Sequence, residues 1–150
     1  MTDEFYTGSW EGSYSYGSGY GKNLAGTKES FLVEIVLKDG VLSGSCTDRL
    51  TRERMGAPAV LTGFIEGTLI SFIKKYVYNV LVNEKGEEVI DKAKKPHEVH
   101  YTGSFDPVAN SFSGDWDIEV VLEKGIDGDV LQISSGTWEL RKAFTGSVAE

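Results

Sequence analysis

The chain has 150 residues, 40% of them hydrophobic and 25% charged, and its 18 glycines against 3 prolines suit a globular fold rich in tight turns rather than a disordered chain. The balance of 15 basic to 23 acidic residues gives a formal charge of −8, a field that repels nucleic-acid phosphates and anionic lipid surfaces, so no nucleic acid and no membrane is expected as a partner. Cys46 is the lone cysteine and forms no intramolecular disulfide, no apolar stretch approaches the roughly 18 residues of a membrane span, and the start MTDEFYTG lacks an export signal; residues 1–150 are read as one cytoplasmic domain.

The first strand is carried by Trp10, Gly12, Tyr14 and Tyr16, which occupy every second position. It runs into YGSGYGKN, which invites comparison with a phosphate cradle. A Walker loop needs a glycine where Tyr16 stands and a magnesium-binding hydroxyl where Asn23 stands. Gly17, Gly19 and Gly21 also miss the dinucleotide spacing, with no β-α-β unit to carry them, so the stretch is a flexible first loop. Phe31, Val33, Ile35 and Leu37 mark the second strand, Asp39-Gly40 favours a two-residue hairpin, and VLSGSCTD returns.

AVLTGFIEG and TLISFIKKY read as another hairpin, bending at Glu66-Gly67. In the charged segment that follows, Lys92, Lys94 and Lys95 lie among Glu84, Glu87, Glu88 and Glu98 and read as solvated charge, with a turn or two of helix in EEVIDKAKK before Pro96. HEVHYTGSF then passes through the turn DPVAN into a strand where Phe112, Gly114, Trp116, Ile118, Val120 and Leu122 alternate with polar residues. After the turn EKGIDGD the last strand runs from about Val130 to Arg141.

The total is eight strands, each beside its neighbour in sequence. This is an all-β chain, read as an eight-stranded antiparallel up-and-down β-barrel, whose closure removes aggregation-prone edges. Gly12, Gly44, Gly63, Gly103, Gly114 and Gly136 inside strands suit the coiling of a small barrel.

Gly8-Ser9-Trp10 on the first strand and Gly136-Thr137-Trp138-Glu139-Leu140-Arg141 on the last make the chain resemble the calycin barrels: lipocalins, fatty-acid-binding proteins and avidin-like barrels. The resemblance implies a lipocalin-like barrel in which Trp10 packs near the closed end against Arg141, a cation over an indole face, and in which the first loop lies across the open mouth, where Tyr20 and Lys22 can touch a ligand. Arg141 has the opposite parity from Trp138 and Leu140, so turning it inward requires a bulge or a strand end. The polar set by which avidin-like barrels bind biotin is not placed in this sequence. Gly8, Trp10 and Gly12 also match the opening of nitrobindin-like haem barrels, but their iron needs a histidine near the chain end and none follows His100, so no cofactor is expected.

His97 and His100, three apart on extended chain, face opposite sides and cannot share a metal ion. Asp127-Gly128-Asp129 lacks a calcium-loop ligand ladder and reads as a hairpin turn. Asp115, Asp117 and Glu119 lie opposite Trp116 and Ile118 and so point to water. No nucleophile elbow surrounds a serine, and Asp48 near Cys46 raises a thiol pKa rather than lowering it, so the sequence leans away from an enzyme.

What remains is the aromatic set, with Trp10, Tyr14, Tyr16, Tyr101, Phe105, Phe112, Trp116 and Trp138 on inward faces. These rings either fill the barrel or line a cavity. The reading is a barrel binding a small hydrophobic ligand among Tyr14, Tyr16, Phe72, Tyr101, Phe112 and Trp116, a tyrosine hydroxyl fixing its orientation. Two alternatives stand beside it. One is a packed interaction module using its acidic outer face or residues 83–98; the other is an isomerase or cyclase, which would need Glu34 or Glu66 to point inward against their parity.

Overall fold

The computed structural model describes residues 3–18, 24–82, 85, 87–125 and 128–143, with residues 81, 82, 119–125 and 128–134 described by backbone alone. Eight strands form the barrel: β1 (Gly8–Tyr16), β2 (Lys28–Lys38), β3 (Val41–Asp48), β4 (Ala59–Glu66), β5 (Leu69–Lys75), β8 (Glu98–Asp106), β9 (Ser111–Gly125) and β10 (Gly128–Lys142). Between β5 and β8 the chain makes a separate two-stranded hairpin, β6 (Asn79–Val82) with β7 (Glu88–Asp91). A short helix α1 (Asp3–Tyr6) precedes β1, and a π-helical turn, Thr51–Met55, follows β3.

Each barrel strand pairs antiparallel with its sequence neighbour, and β1 pairs on both edges, with β2 through Trp10–Val33 and with β10 through Tyr14–Trp138, which closes the sheet. Alternation then separates inside from outside. Along β2, Phe31, Val33, Ile35 and Leu37 are buried while Leu32, Glu34, Val36 and Lys38 are exposed. Asp39 and Gly40 both have positive φ, 53° and 81°, as the two-residue hairpin turn requires.

Two glycines explain the recurring Gly-aromatic spacing. A Cβ at Gly103 would lie 2.9 Å from the Trp138 ring, and one at Gly136 would lie 2.6 Å from the Trp116 ring, so each glycine makes room for an indole. The indole N–H groups are spent on backbone carbonyls: Trp116 donates to Ser15 at 3.1 Å and Trp138 to Thr102 and Asp115, both at 3.1 Å.

The end of the barrel beside α1 is filled with rings. Trp10 and Phe112 lie 5.0 Å apart, Phe105 and Phe112 5.1 Å, and Tyr6 of α1 reaches Phe112 at 5.5 Å. Trp10 Nε1 donates to the Tyr6 carbonyl at 2.8 Å, Asp39 N donates to Asp3 Oδ2 at 2.7 Å, and Leu37 N donates to Thr7 Oγ1 at 3.0 Å, so α1 is bound across this end as a plug.

Three expectations change. The cation over Trp10 is Lys142, 5.2 Å from the ring, and not Arg141, which is exposed. The parity of β10 continues unbroken through Trp138 and Leu140 to Lys142, which also donates to the carbonyls of Phe5 and Thr7. Residues 88–91 form strand β7 and not a helical turn. Glu88 is not simply solvated: Arg49 Nη2 binds it at 2.5 Å and Glu29 of β2 at 2.7 Å, fastening the hairpin to the barrel wall. These two carboxylates raise the Arg49 pKa through their hydrogen bonds.

Replacing Lys142 by Met removes charge-assisted hydrogen bonds from α1, and urea unfolding should show a loss of about 1.5–3 kcal/mol, against about 0.5 kcal/mol or less for Arg141→Met. Equal losses would return the arginine to the Trp10 site.

Candidate functional site

The opposite end of the barrel is built differently. β3 ends inward on Cys46 and Asp48, and β5 on Phe72 and Lys74, because every second residue faces the enclosure. Two charges are therefore carried inside: Asp48 has 0% and Lys74 2% of its surface exposed. A buried charge is tolerated only when paired and hydrogen-bonded.

Asp48 is satisfied on every side. Tyr14 Oη donates to Oδ2 at 3.0 Å, Tyr76 Oη donates to the same oxygen at 2.5 Å, and Thr51 N donates to Oδ1 at 2.9 Å. Thr51 Oγ1 accepts from Asp48 N at 2.8 Å and donates to its carbonyl at 2.9 Å, so the start of the π-helical turn grips the aspartate backbone. Lys74 Nζ donates to Tyr76 Oη at 2.9 Å and lies 3.7 Å from Asp48 Oδ2. Rings surround the ammonium, with the Tyr14, Tyr76 and Tyr101 centroids at 4.4, 4.6 and 5.2 Å.

The electrostatics follow from burial. Desolvation raises the pKa of Tyr14 and Tyr76, each reinforced by Asp48, and pushes Tyr101 up to about 12. Desolvation also pushes the Cys46 thiol up to about 12. Burial alone would lower the Lys74 pKa, but Tyr101, Cys46 and Asp48 beside it more than offset this and it is raised. The site thus has a protonated lysine, protonated tyrosines and an aspartate whose oxygens are occupied. It offers no nucleophilic amine or thiolate.

Above this floor lies a pocket of about 70 Å³ of free space. Tyr14, Tyr16, Tyr101 and Trp116 line it from the barrel wall, Lys74 and Tyr76 from the floor, and Tyr78, Val80 and Glu88 of the hairpin segment from above. His97, in the approach to β8, is part of the wall, and its buried Nε2 has no hydrogen-bond partner among the described residues. Desolvation, followed by the charge of Lys94, lowers its pKa.

Of the six residues read from the sequence as a ligand set, Tyr14, Tyr16, Tyr101 and Trp116 meet at this pocket. Phe72 does not line it; its ring stacks beneath Tyr101 at 4.8 Å with the planes 7° apart. Phe112 belongs to the filled end, against Trp10. The expected residues Tyr20 and Lys22 lie outside the described residues, as does Asp127. His100, Asp115 and Asp117 are exposed on the outer face, and Glu34 and Glu66 also point outward.

Asp48, Lys74 and Tyr76 were missed by reading hydrophobic alternation alone. The signal for two of them was present: Lys74 continues the inward parity of Ile70 and Phe72, and Asp48 that of Leu42 and Cys46. Tyr76 follows the end of β5 and turns inward to Asp48, which no periodicity announces.

The fold around this pocket is a closed eight-stranded antiparallel meander barrel. No protein-family model matches the chain, and no curated protein matches it. Among solved structures, a rhizavidin–biotin complex is similar at 18% identity over 90% of this chain and 95% of that one, with a TM-score of 0.44. A second rhizavidin structure is similar at 16% identity over 91% of this chain and 85% of that one, also with a TM-score of 0.44.

Lys74→Met strands the Asp48 charge and should cost about 3–5 kcal/mol in denaturant unfolding, while Lys74→Met with Asp48→Asn should recover part of that loss. Additive losses would show that the two residues do not interact. Because the folded pKa of His97 lies below its ordinary 6.5, the unfolded chain binds the proton first on acidification. The His97 contribution to stability is complete above about pH 6.5 and falls below it. His97→Gln should therefore flatten the stability profile between about pH 7 and 5.5, and an unchanged slope would contradict the assignment.

Proposed function

We propose that this barrel binds one small, largely apolar molecule in the pocket between Trp116, Tyr14, Tyr16 and Tyr101. The observation that supports this is the unequal filling of the interior. Rings pack to contact at the Trp10 end, whereas free space remains beside Trp116 and Tyr14, walled by aromatic faces and floored by a charge-balanced cluster.

About 70 Å³ is well below the roughly 300–1,000 Å³ of drug-sized sites, so the occupant is nearer to a single ring than to a long-chain fatty acid or a retinoid. Its aromatic or aliphatic body replaces water against Trp116 and Tyr14, and a hydroxyl fixes its orientation. The competing interaction-module reading is favoured by a filled interior, and this space weighs against it. An acid–base reaction would need a buried base open to the pocket: both Asp48 oxygens are already accepting hydrogen bonds, which leaves that role to His97 Nε2.

Ring-sized apolar compounds, followed by tryptophan fluorescence and thermal shift, should quench emission and raise the midpoint, and Trp116→Phe should remove most of the quenching. Absence of both signals across fatty acids, biotin, indoles and substituted benzenes would overturn the proposal.

A further inference from the structure

The identity of the occupant is narrowed by an inventory of charges and donors around the pocket, which rests on the binding role proposed above. Each charged side chain that lines the pocket has a partner of opposite sign. Lys74 is balanced by Asp48 at 3.7 Å, and Glu88 is held by Arg49 at 2.5 Å. His97 adds no charge at neutral pH, since burial lowers its pKa. A charged ligand entering this space would lose its water without meeting an unpaired counter-ion, an expensive transfer.

Donors are also mostly committed. The Tyr14 and Tyr76 protons go to Asp48 Oδ2, and the Trp116 indole proton goes to the Ser15 carbonyl. Tyr16 and Tyr78 stand half-buried at the mouth. Tyr101 differs from these. It is 1% exposed and lines the pocket, its oxygen faces the Lys74 ammonium, and among the described residues its hydroxyl proton has no acceptor. Stacking of its ring on Phe72 fixes where that hydroxyl points. A phenol whose oxygen lies beside a cation is polarised into a stronger donor.

We infer that the pocket takes an uncharged, ring-sized molecule whose carbonyl or comparable oxygen accepts a hydrogen bond from Tyr101. Lys74 and Asp48 are then positioning residues: they orient the Tyr101 hydroxyl and keep the pocket electrically neutral. The structure thereby separates this site from one built for fatty acids or other carboxylates, where an unpaired cation would face the ligand.

The test is calorimetric titration of the full chain with four probes of one size: acetophenone, its near-isostere α-methylstyrene, benzoate and benzamidinium. Acetophenone should bind about tenfold more tightly than α-methylstyrene, the ratio expected for one enclosed hydrogen bond, and benzoate and benzamidinium should give no measurable heat. Tyr101→Phe should bring acetophenone to the affinity of α-methylstyrene. The wild-type comparison decides the matter even where the variant folds poorly. Equal binding of acetophenone and α-methylstyrene would overturn the role of Tyr101 while leaving the pocket as a binding site. Binding of benzoate or benzamidinium as tight as that of acetophenone would overturn the neutral class, and binding of none of the four would overturn both inferences.

Discussion

Everything in this molecule depends on β1 being hydrogen-bonded along both edges, to β2 and to β10. That closure turns a pleated ribbon with two faces into a wall with an inside, and the period of two then assigns every second residue to a shared interior. An eight-stranded barrel encloses little more than its own side chains, so the chain must decide residue by residue what occupies a small space. Glycines beneath Trp116 and Trp138 are part of that decision, because two indoles fit only where the facing strand carries no side chain.

The two ends resolve this differently. At one end α1 plugs the barrel and Tyr6, Trp10, Phe105 and Phe112 pack in edge-to-face and tilted pairs, which removes apolar surface from water. At the other end the inward positions hold Asp48, Lys74 and three tyrosines. Such a cluster is a poor way to gain stability, since desolvating an ion pair offsets much of its attraction. Its value lies in geometry: the Tyr14 and Tyr76 hydroxyls are fixed on Asp48, and the ring of Tyr101 is held by Phe72 on one side and the ammonium on the other. The hairpin over this end is bonded to the barrel through one guanidinium shared between Glu29 and Glu88.

Much of this was legible in the sequence. Eight strands, their order, the Asp39-Gly40 turn and the inward parity of Trp10, Tyr14, Tyr101, Phe112 and Trp116 follow from alternation and turn chemistry, which are local properties. The β6–β7 hairpin was not, because its strands have four residues each and Glu, Lys and Ala nearby favour helix in the absence of a partner strand. Its Arg49 tether joins residues 20 and 39 positions apart, which no window detects. The Trp10 cation was misread for an instructive reason: a family motif pointed to Arg141, whereas the parity of β10 already favoured its neighbour Lys142. Free space beside Trp116 lies beyond any pattern, since it is a property of how finished side chains meet.

The most direct test of a barrel filled at one end and receptive at the other is a fluorine spectrum of the fluorotryptophan-labelled protein during titration with a small aromatic ketone. The signal of Trp116 should move with saturation while that of Trp10 stays in place, since one borders the pocket and the other is sealed behind α1. A Trp10 signal that moves as far as that of Trp116, or a Trp116 signal that never moves, would contradict the account.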